Sequence, residues 1–144
     1  MYYVSGRAIT GKRHMIHELR NGAVLYAKDL DTVAAFYSGV AGLEVCRTQN
    51  HHIVLESQVF QLVVLRIPKH IANSITIQNP PVRRENTPIK LVFFVESLAK
   101  ARMAAGPLGG ALNAVEQEWR FEGYKVCDGC DPEGNVFQLR EAAC

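Results

Sequence analysis

The sequence predicts one α+β domain in which a βαβββ order of elements occurs twice. Two observations carry this expectation. Apolar periodicity alternates between strand and helix in the same order on either side of a stretch rich in Pro and Asn. The run Val59-Phe60-Gln61-Leu62 recurs as Val136-Phe137-Gln138-Leu139, each in the last strand of its half. The chain of 144 residues is long enough to bury one core and too short for two independent domains.

Taken in order, Ala23 to Lys28 reads as a strand, and Asp29 is a helix N-cap candidate because its short carboxylate can accept a first-turn N–H. Val33, Phe36, Tyr37 and Val40 then form one apolar helical stripe, which predicts a helix over 30–41, with Gly42 at its stop. Leu43 to Thr48, His52 to Glu56 and Val59 to Ile67 read as strands, completing module one over 22–67. Residues 68–88 hold Pro68, Pro80, Pro81 and Pro88, and read as a linker with one strand or turn around Ile75 to Ile77.

Module two spans 89–141. Ile89 to Val95 is a strong strand signal, and Ser97 is an N-cap candidate before a helix over 98–105 that Gly106-Pro107 ends. Strands are expected near Ala111 to Trp119, near Tyr124 to Cys127 and at Val136 to Arg140. Asp131-Pro132-Glu133-Gly134-Asn135 is a turn: Pro fixes φ, and Gly or Asn takes positive φ.

Residues 1–20 lie outside the domain expected over 21–141. Gly6, Gly11 and the Lys12-Arg13-His14 run break any regular element. His14-Met15 has the look of a junction, so this segment reads either as a foreign or disordered extension or as a genuine N-terminal arm. Apolar runs of four or five residues, such as Leu91 to Val95, are too short for a membrane helix, and no secretory leader is visible, so a cytoplasmic home is the default expectation. Net charge is +2, of which residues 1–20 carry +3 and the remainder −1. That balance argues against a nucleic-acid partner. Cys46, Cys127, Cys130 and Cys144 are expected to stay reduced.

Several constellations read more simply as structure. Cys127-Asp128-Gly129-Cys130 has C-x-x-C spacing but lacks a second pair for a closed zinc site, so it reads as two incidental thiols. His51, His52 and His70 read as solvated loop residues. The glycines of Gly106 to Gly110 follow a helix and precede a strand, the reverse of a phosphate-binding loop. Trp119, near Arg120, Phe121 and Tyr124, reads equally well as a stacking surface or as a residue closing the core or a dimer interface.

Leu25-Tyr26-Ala27-Lys28-Asp29-Leu30 running into Ala35-Phe36-Tyr37, Gly42-Leu43-Glu44-Val45, and Asp131 to Leu139 together resemble the vicinal oxygen chelate superfamily. That superfamily includes glyoxalase I, extradiol dioxygenases and bleomycin-resistance proteins. The resemblance covers about residues 20–141. It implies a strongly curved eight-stranded mixed sheet enclosing a cleft, with helices on the convex side. It also implies a small-molecule ligand and a homodimer. The fold hosts many chemistries, so the reaction does not follow from it.

Metal-dependent members hold a divalent ion with His or Glu side chains from the first and last strands of each module. Counted from the strand-to-helix junctions, those positions fall here at Gly22, Gln61, Lys90 and Gln138. Glycine offers no ligand, neutral amides are poor ligands for Zn, Ni or Fe, and an ammonium repels a divalent ion. Shifting by one residue offers only Asn21 or Ala23, Phe60 or Leu62, Ile89 or Leu91, and Phe137 or Leu139. The chain therefore resembles a member without the usual metal ligands, and no cofactor is expected.

Residues in step with those positions, including Tyr26, Val59, Val63, Phe94 and Arg140, would line the cleft. Gln61, Lys90, Gln138, Tyr26, Phe94, Trp119 and Arg140 are the candidate ligand-binding residues, Lys90 being expected without a carboxylate at the other family positions. The resulting expectation is a metal-free small-molecule-binding protein whose ligand is anionic or carbonyl-bearing. The alternative is a lyase, isomerase or dioxygenase with a relocated metal or acid–base side chains.

Overall fold

Residue spacing explains the longer helix directly. The computed structural model describes residues 19–142. The first strand, β1 (Asn21–Ala27), leads into helix α1 (Leu30–Ala41). The Asp29 carboxylate accepts the Thr32 N–H at 3.2 Å and the Thr32 hydroxyl at 2.8 Å, and Gly42 closes the helix at φ 73°. Val33, Phe36, Tyr37 and Val40 are all buried, so the apolar stripe becomes the core face of α1. Module one continues with β2 (Glu44–Thr48), β3 (His52–Glu56) and β4 (Phe60–Arg66).

A single helical turn, α2 (Lys69–Ala72), opens the connection to β5 (Leu91–Val95) and α3 (Leu98–Ala105). Ser97 caps α3 through Lys100 N–H, and Glu141 accepts the Leu98 N–H at 2.6 Å. The strand expected over Ala111 to Trp119 is split. It becomes β6 (Ala111–Leu112), a 3₁₀ turn at Val115–Gln117, and β7 (Trp119–Phe121). Both pieces pair with β8 (Tyr124–Cys130), and β9 (Val136–Ala142) completes the chain order. The break adds one strand to the eight expected.

The strands form two hydrogen-bonded sheets. One has the order β1-β4-β3-β2; the other runs β5-β9-β8-β6, with β7 also on β8. In each, the first strand pairs in parallel with the last, and the remaining neighbours are antiparallel. This is the doubled α+β order that the sequence predicts.

One core joins the modules. Phe36 and Tyr37 of α1 meet Phe137 of β9 with ring centroids 5.6 and 5.8 Å apart, and Tyr37 lies 5.6 Å from Phe93 of β5. Phe60 of β4 packs edge-on against Phe93 at 5.6 Å. Such edge contacts suit the aromatic quadrupole. A Cβ at Gly110 would stand 2.5 Å from the Phe36 ring, so that glycine serves close packing.

The Asp131–Asn135 turn fastens module two to the start of α1. Buried Asp131 accepts Glu133 and Asn135 N–H groups and the Asn135 amide, closing the turn on itself. Its Oδ2 also accepts the Tyr37 hydroxyl at 2.8 Å. Burial, then the neighbouring Asp131 charge, hold the Tyr37 phenol well above its usual pKa of 10.0. Glu133, 4% exposed, accepts Lys28 N–H at 2.9 Å and Asp29 N–H at 2.7 Å, one on each carboxylate oxygen.

Residues 68–88 are tied down more closely than a simple linker. Arg84 N–H donates to Gly134 O and its Nε to Glu133 O, the Lys28 ammonium bonds Ile75 O, and Arg83 bonds Asn113. Of the strand or turn expected around Ile75 to Ile77, a turn forms just before it, with Ile75 N–H donating to Ala72 O at 3.0 Å. A Cβ at Gly134, φ 88°, would stand 2.1 Å from Val82 O, so glycine is required there by space as well as by angle. Among the described residues no helix is long and apolar enough to cross a membrane. The junction reading at His14-Met15 and the thiol of Cys144 lie outside the described residues.

Glu133→Ala leaves two backbone donors without their acceptor. It is expected to lower stability by about 3 kcal/mol, at roughly 1–3 kcal/mol per unsatisfied donor. Urea denaturation measures this against exposed Glu116→Ala; equal midpoints for the two variants would refute the role given to Glu133.

Candidate functional site

Strand alternation assigns the site to the faces turned away from the helices. Leu62, Val64, Phe137 and Leu139 enter the core, so Gln61, Val63, Gln138 and Arg140 take the opposite face. On the first strands the same face carries Gly22, Val24 and Tyr26 in β1, and Val92 and Phe94 in β5. Val24, Tyr26 and Phe94 are 56, 62 and 59% exposed, an amount of bare apolar surface that a bound molecule or partner can cover.

Register shows that the two faces repeat. Gln61 pairs with Gly22 on one side and Glu56 on the other. Gln138 pairs with Val92 and Asp128 in the same way. The counterpart of Gly22 is therefore Val92, and Lys90 corresponds to Arg20, two residues earlier. Counting from the helix caps misses this because β1 continues two residues further before its cap than β5 does.

Each module builds a cation–carboxylate–amide group. In module one, Gln61 Nε2 donates to Glu56 at 2.7 Å, and the Arg20 guanidinium lies 3.7 Å from the same carboxylate. The Gln61 hydrogen bond leads the causes that hold Glu56 below its usual pKa; burial opposes it, and Cys46 and Arg20 assist. In module two, Gln138 Nε2 donates to Asp128 at 3.2 Å, and the Lys90 ammonium lies 2.7 Å from the other Asp128 oxygen. The Lys90 partner is Asp128, which lies outside the four family positions. Lys90 and Gln138 meet on Asp128, whereas Gln61 meets Glu56 in the other sheet.

Arg140 extends the second group. Its Nε donates to Gln138 Oε1 at 2.8 Å, and its guanidinium carbon lies 4.9 Å from the Phe121 ring centroid and 5.8 Å from that of Phe94. Phe94 in turn packs edge-on against Tyr124 at 5.0 Å. Trp119 sits opposite Val126 in β7 and is 40% exposed, which places it at the surface rather than in the core.

These donors do not fit a divalent metal at the family position. The Gln138 carbonyl oxygen, its only ligating atom, already accepts from a guanidinium, and that fixed positive charge repels a cation. The paired first-strand positions are Gly22 and Val92, neither of which ligates. Among the described residues no group of three His, Cys, Asp or Glu side chains is placed to hold an ion. The Cys127 and Cys130 thiols are free and buried, and burial raises both pKa values, so they are packing groups.

A family model described as a glyoxalase-like domain matches residues 22–140. The chain belongs to the glyoxalase-like family.

Solved structures agree on the fold of this glyoxalase-like chain. It is similar to a glyoxalase/bleomycin resistance protein/dioxygenase family enzyme from Burkholderia phytofirmans PsJN, at 18% identity and TM-score 0.60, covering 85% of this chain and 97% of that one. A bleomycin resistance determinant encoded on the transposon Tn5 aligns at 15% identity and TM-score 0.57, covering 88% of this chain and 100% of that one. A fosfomycin resistance protein from Listeria monocytogenes, complexed with Mn(II) and a dihydroxypropylphosphonic acid, aligns at 16% and 0.59, covering 90% and 93%. No curated protein sequence matches.

Sequence reading found both amides and missed their carboxylates. Glu56 and Asp128 lie on the neighbouring strands, each as the antiparallel register partner of a Gln in the repeated Val-Phe-Gln-Leu run, and that register is set by the folded sheet. The Lys90 side chain is 41% exposed, so its ion pair is worth little. Lys90→Met is expected to cost about 1 kcal/mol or less in urea denaturation. A loss of several kcal/mol would show that Lys90 holds the sheet together.

Proposed function

We propose that this chain is a metal-free small-molecule-binding protein of the glyoxalase/bleomycin-resistance/dioxygenase superfamily, with an anionic or carbonyl-bearing ligand. Gln61, Lys90, Gln138, Tyr26, Phe94, Trp119 and Arg140 are the proposed binding residues. The observation that carries the reading is the Arg140–Gln138 hydrogen bond, which puts a guanidinium beside the position where metal-dependent relatives carry a ligand. A fixed cation there favours an oxygen anion or a carbonyl oxygen over a metal ion. Exposed Phe94 and Phe121 supply aromatic area beside it, and Tyr26 and Trp119 are further exposed aromatic residues.

Calorimetric titration of the full chain with Zn²⁺, Ni²⁺, Mn²⁺ and Fe²⁺ is expected to give no stoichiometric binding. Stoichiometric binding that disappears on Gln61→Ala or Gln138→Ala would overturn the metal-free reading and move the protein to the lyase, isomerase or dioxygenase alternative.

The proposal includes a homodimer. Its support is the exposed apolar surface at Val24, Tyr26, Phe94, Trp119 and Phe121, which a second copy can cover. Light scattering at micromolar concentration is expected to report twice the chain mass. A monomer would remove the dimer from the proposal and leave the binding reading intact.

A further inference from the structure

Phe94 joins two features of the molecule. On one side it lines a cavity of about 570 Å³ at the seam between the modules, together with Asn21, Leu43, Val59, Phe60 and Val92. On the other it is the register partner of Arg140 across the β5–β9 pair and flanks its guanidinium. Adjacent strands lie about 4.8 Å apart, so Arg140 stands one strand from the cavity wall.

Arg140 differs from Lys90 and Lys125 on its sheet, while Arg120 alternates to the face of its strand opposite Phe121. Lys90 pairs with Asp128, and Lys125 with Glu118 and Glu141; from α3, Arg102 also reaches Glu118. Among the described residues Arg140 has no carboxylate partner. Its Nε is committed to Gln138, and Phe121 and Phe94 flank the guanidinium. The Gln138 bond and the rings restrict its motion, so little ordering entropy remains to be lost on binding.

From this arrangement we infer that the ligand is an amphipathic monocarboxylate. Its carboxylate sits on the outer nitrogens of Arg140, and its apolar body crosses Phe94 into the seam cavity. The inference rests on the binding reading proposed above and names the ligand class. The charge follows from counting: one uncompensated guanidinium balances one negative charge, and its planar donors match a carboxylate. A phosphate dianion would leave a charge unbalanced beside the aromatic rings. The apolar body follows from the lining, in which Leu43, Val59, Phe60, Val92 and Phe94 outnumber the polar groups.

Calorimetry on the full chain with decanoate, decan-1-ol, acetate and decyl phosphate tests this. Decanoate is expected to bind, with decanol and acetate each weaker by about tenfold or more, the value of one charge-assisted contact or its equivalent in apolar burial. Arg140→Gln should erase the preference for decanoate over decanol. Val59→Trp, which fills the cavity mouth, should weaken both. Equal binding of decanoate and decanol by the unaltered chain refutes the inference without any variant. So does tighter binding of decyl phosphate than of decanoate, or a preference that survives Arg140→Gln. Failure of decanoate to bind also overturns it, but leaves the metal-free reading to stand or fall by the metal titration.

Discussion

The Asp131–Asn135 turn sets the relation between the two halves of the molecule. Its two buried carboxylates are acceptors, and each takes donors from module one: the Tyr37 hydroxyl for Asp131, the Lys28 and Asp29 N–H groups for Glu133. A buried carboxylate is costly unless hydrogen-bonded, and these two are bonded to groups about a hundred residues away in sequence. The clamp fixes where β1 ends and α1 begins. It thereby places Phe36 and Tyr37 on Phe93 and Phe137, and so makes one core out of two repeated modules.

The repeat extends from the backbone to the polar face. Arg20, Glu56 and Gln61 in one sheet correspond to Lys90, Asp128 and Gln138 in the other. The modules diverge at the next outward residue of the last strand, two positions on, where Val63 in one corresponds to Arg140 in the other. Among the described residues, module two carries a guanidinium bonded to its glutamine, and aromatic rings from β5 and β7 enclose it. Asymmetry at this position leaves the two polar groups with different charge.

Replacement of metal ligands by this polar network changes what the fold can do. Family members share a scaffold and differ in chemistry because side chains on the sheet faces vary without disturbing the core. Here the core-facing residues of β4 and β9 keep their apolar identity, while the outward residues hold amides and a cation.

Helix limits and strand alternation were determined by the sequence itself, because their causes are local. Asp29, Ser97 and Gly42 cap within one turn of themselves, and the helices fall over 30–41 and 98–105 as their signals require. The Val-Phe-Gln-Leu repeat likewise marked the two last strands and the outward Gln on each. Tertiary structure alone decided the partners. Pairing of Gln138 with Asp128, of Lys90 with that same carboxylate, and the equivalence of Lys90 to Arg20 all depend on cross-strand register. Register is fixed by the hairpin connections and by packing against distant elements, and it carries no period along the chain. The division of the expected 111–119 strand and the anchoring of residues 68–88 on the Gly134 turn have the same origin: hydrogen bonds between segments far apart in sequence.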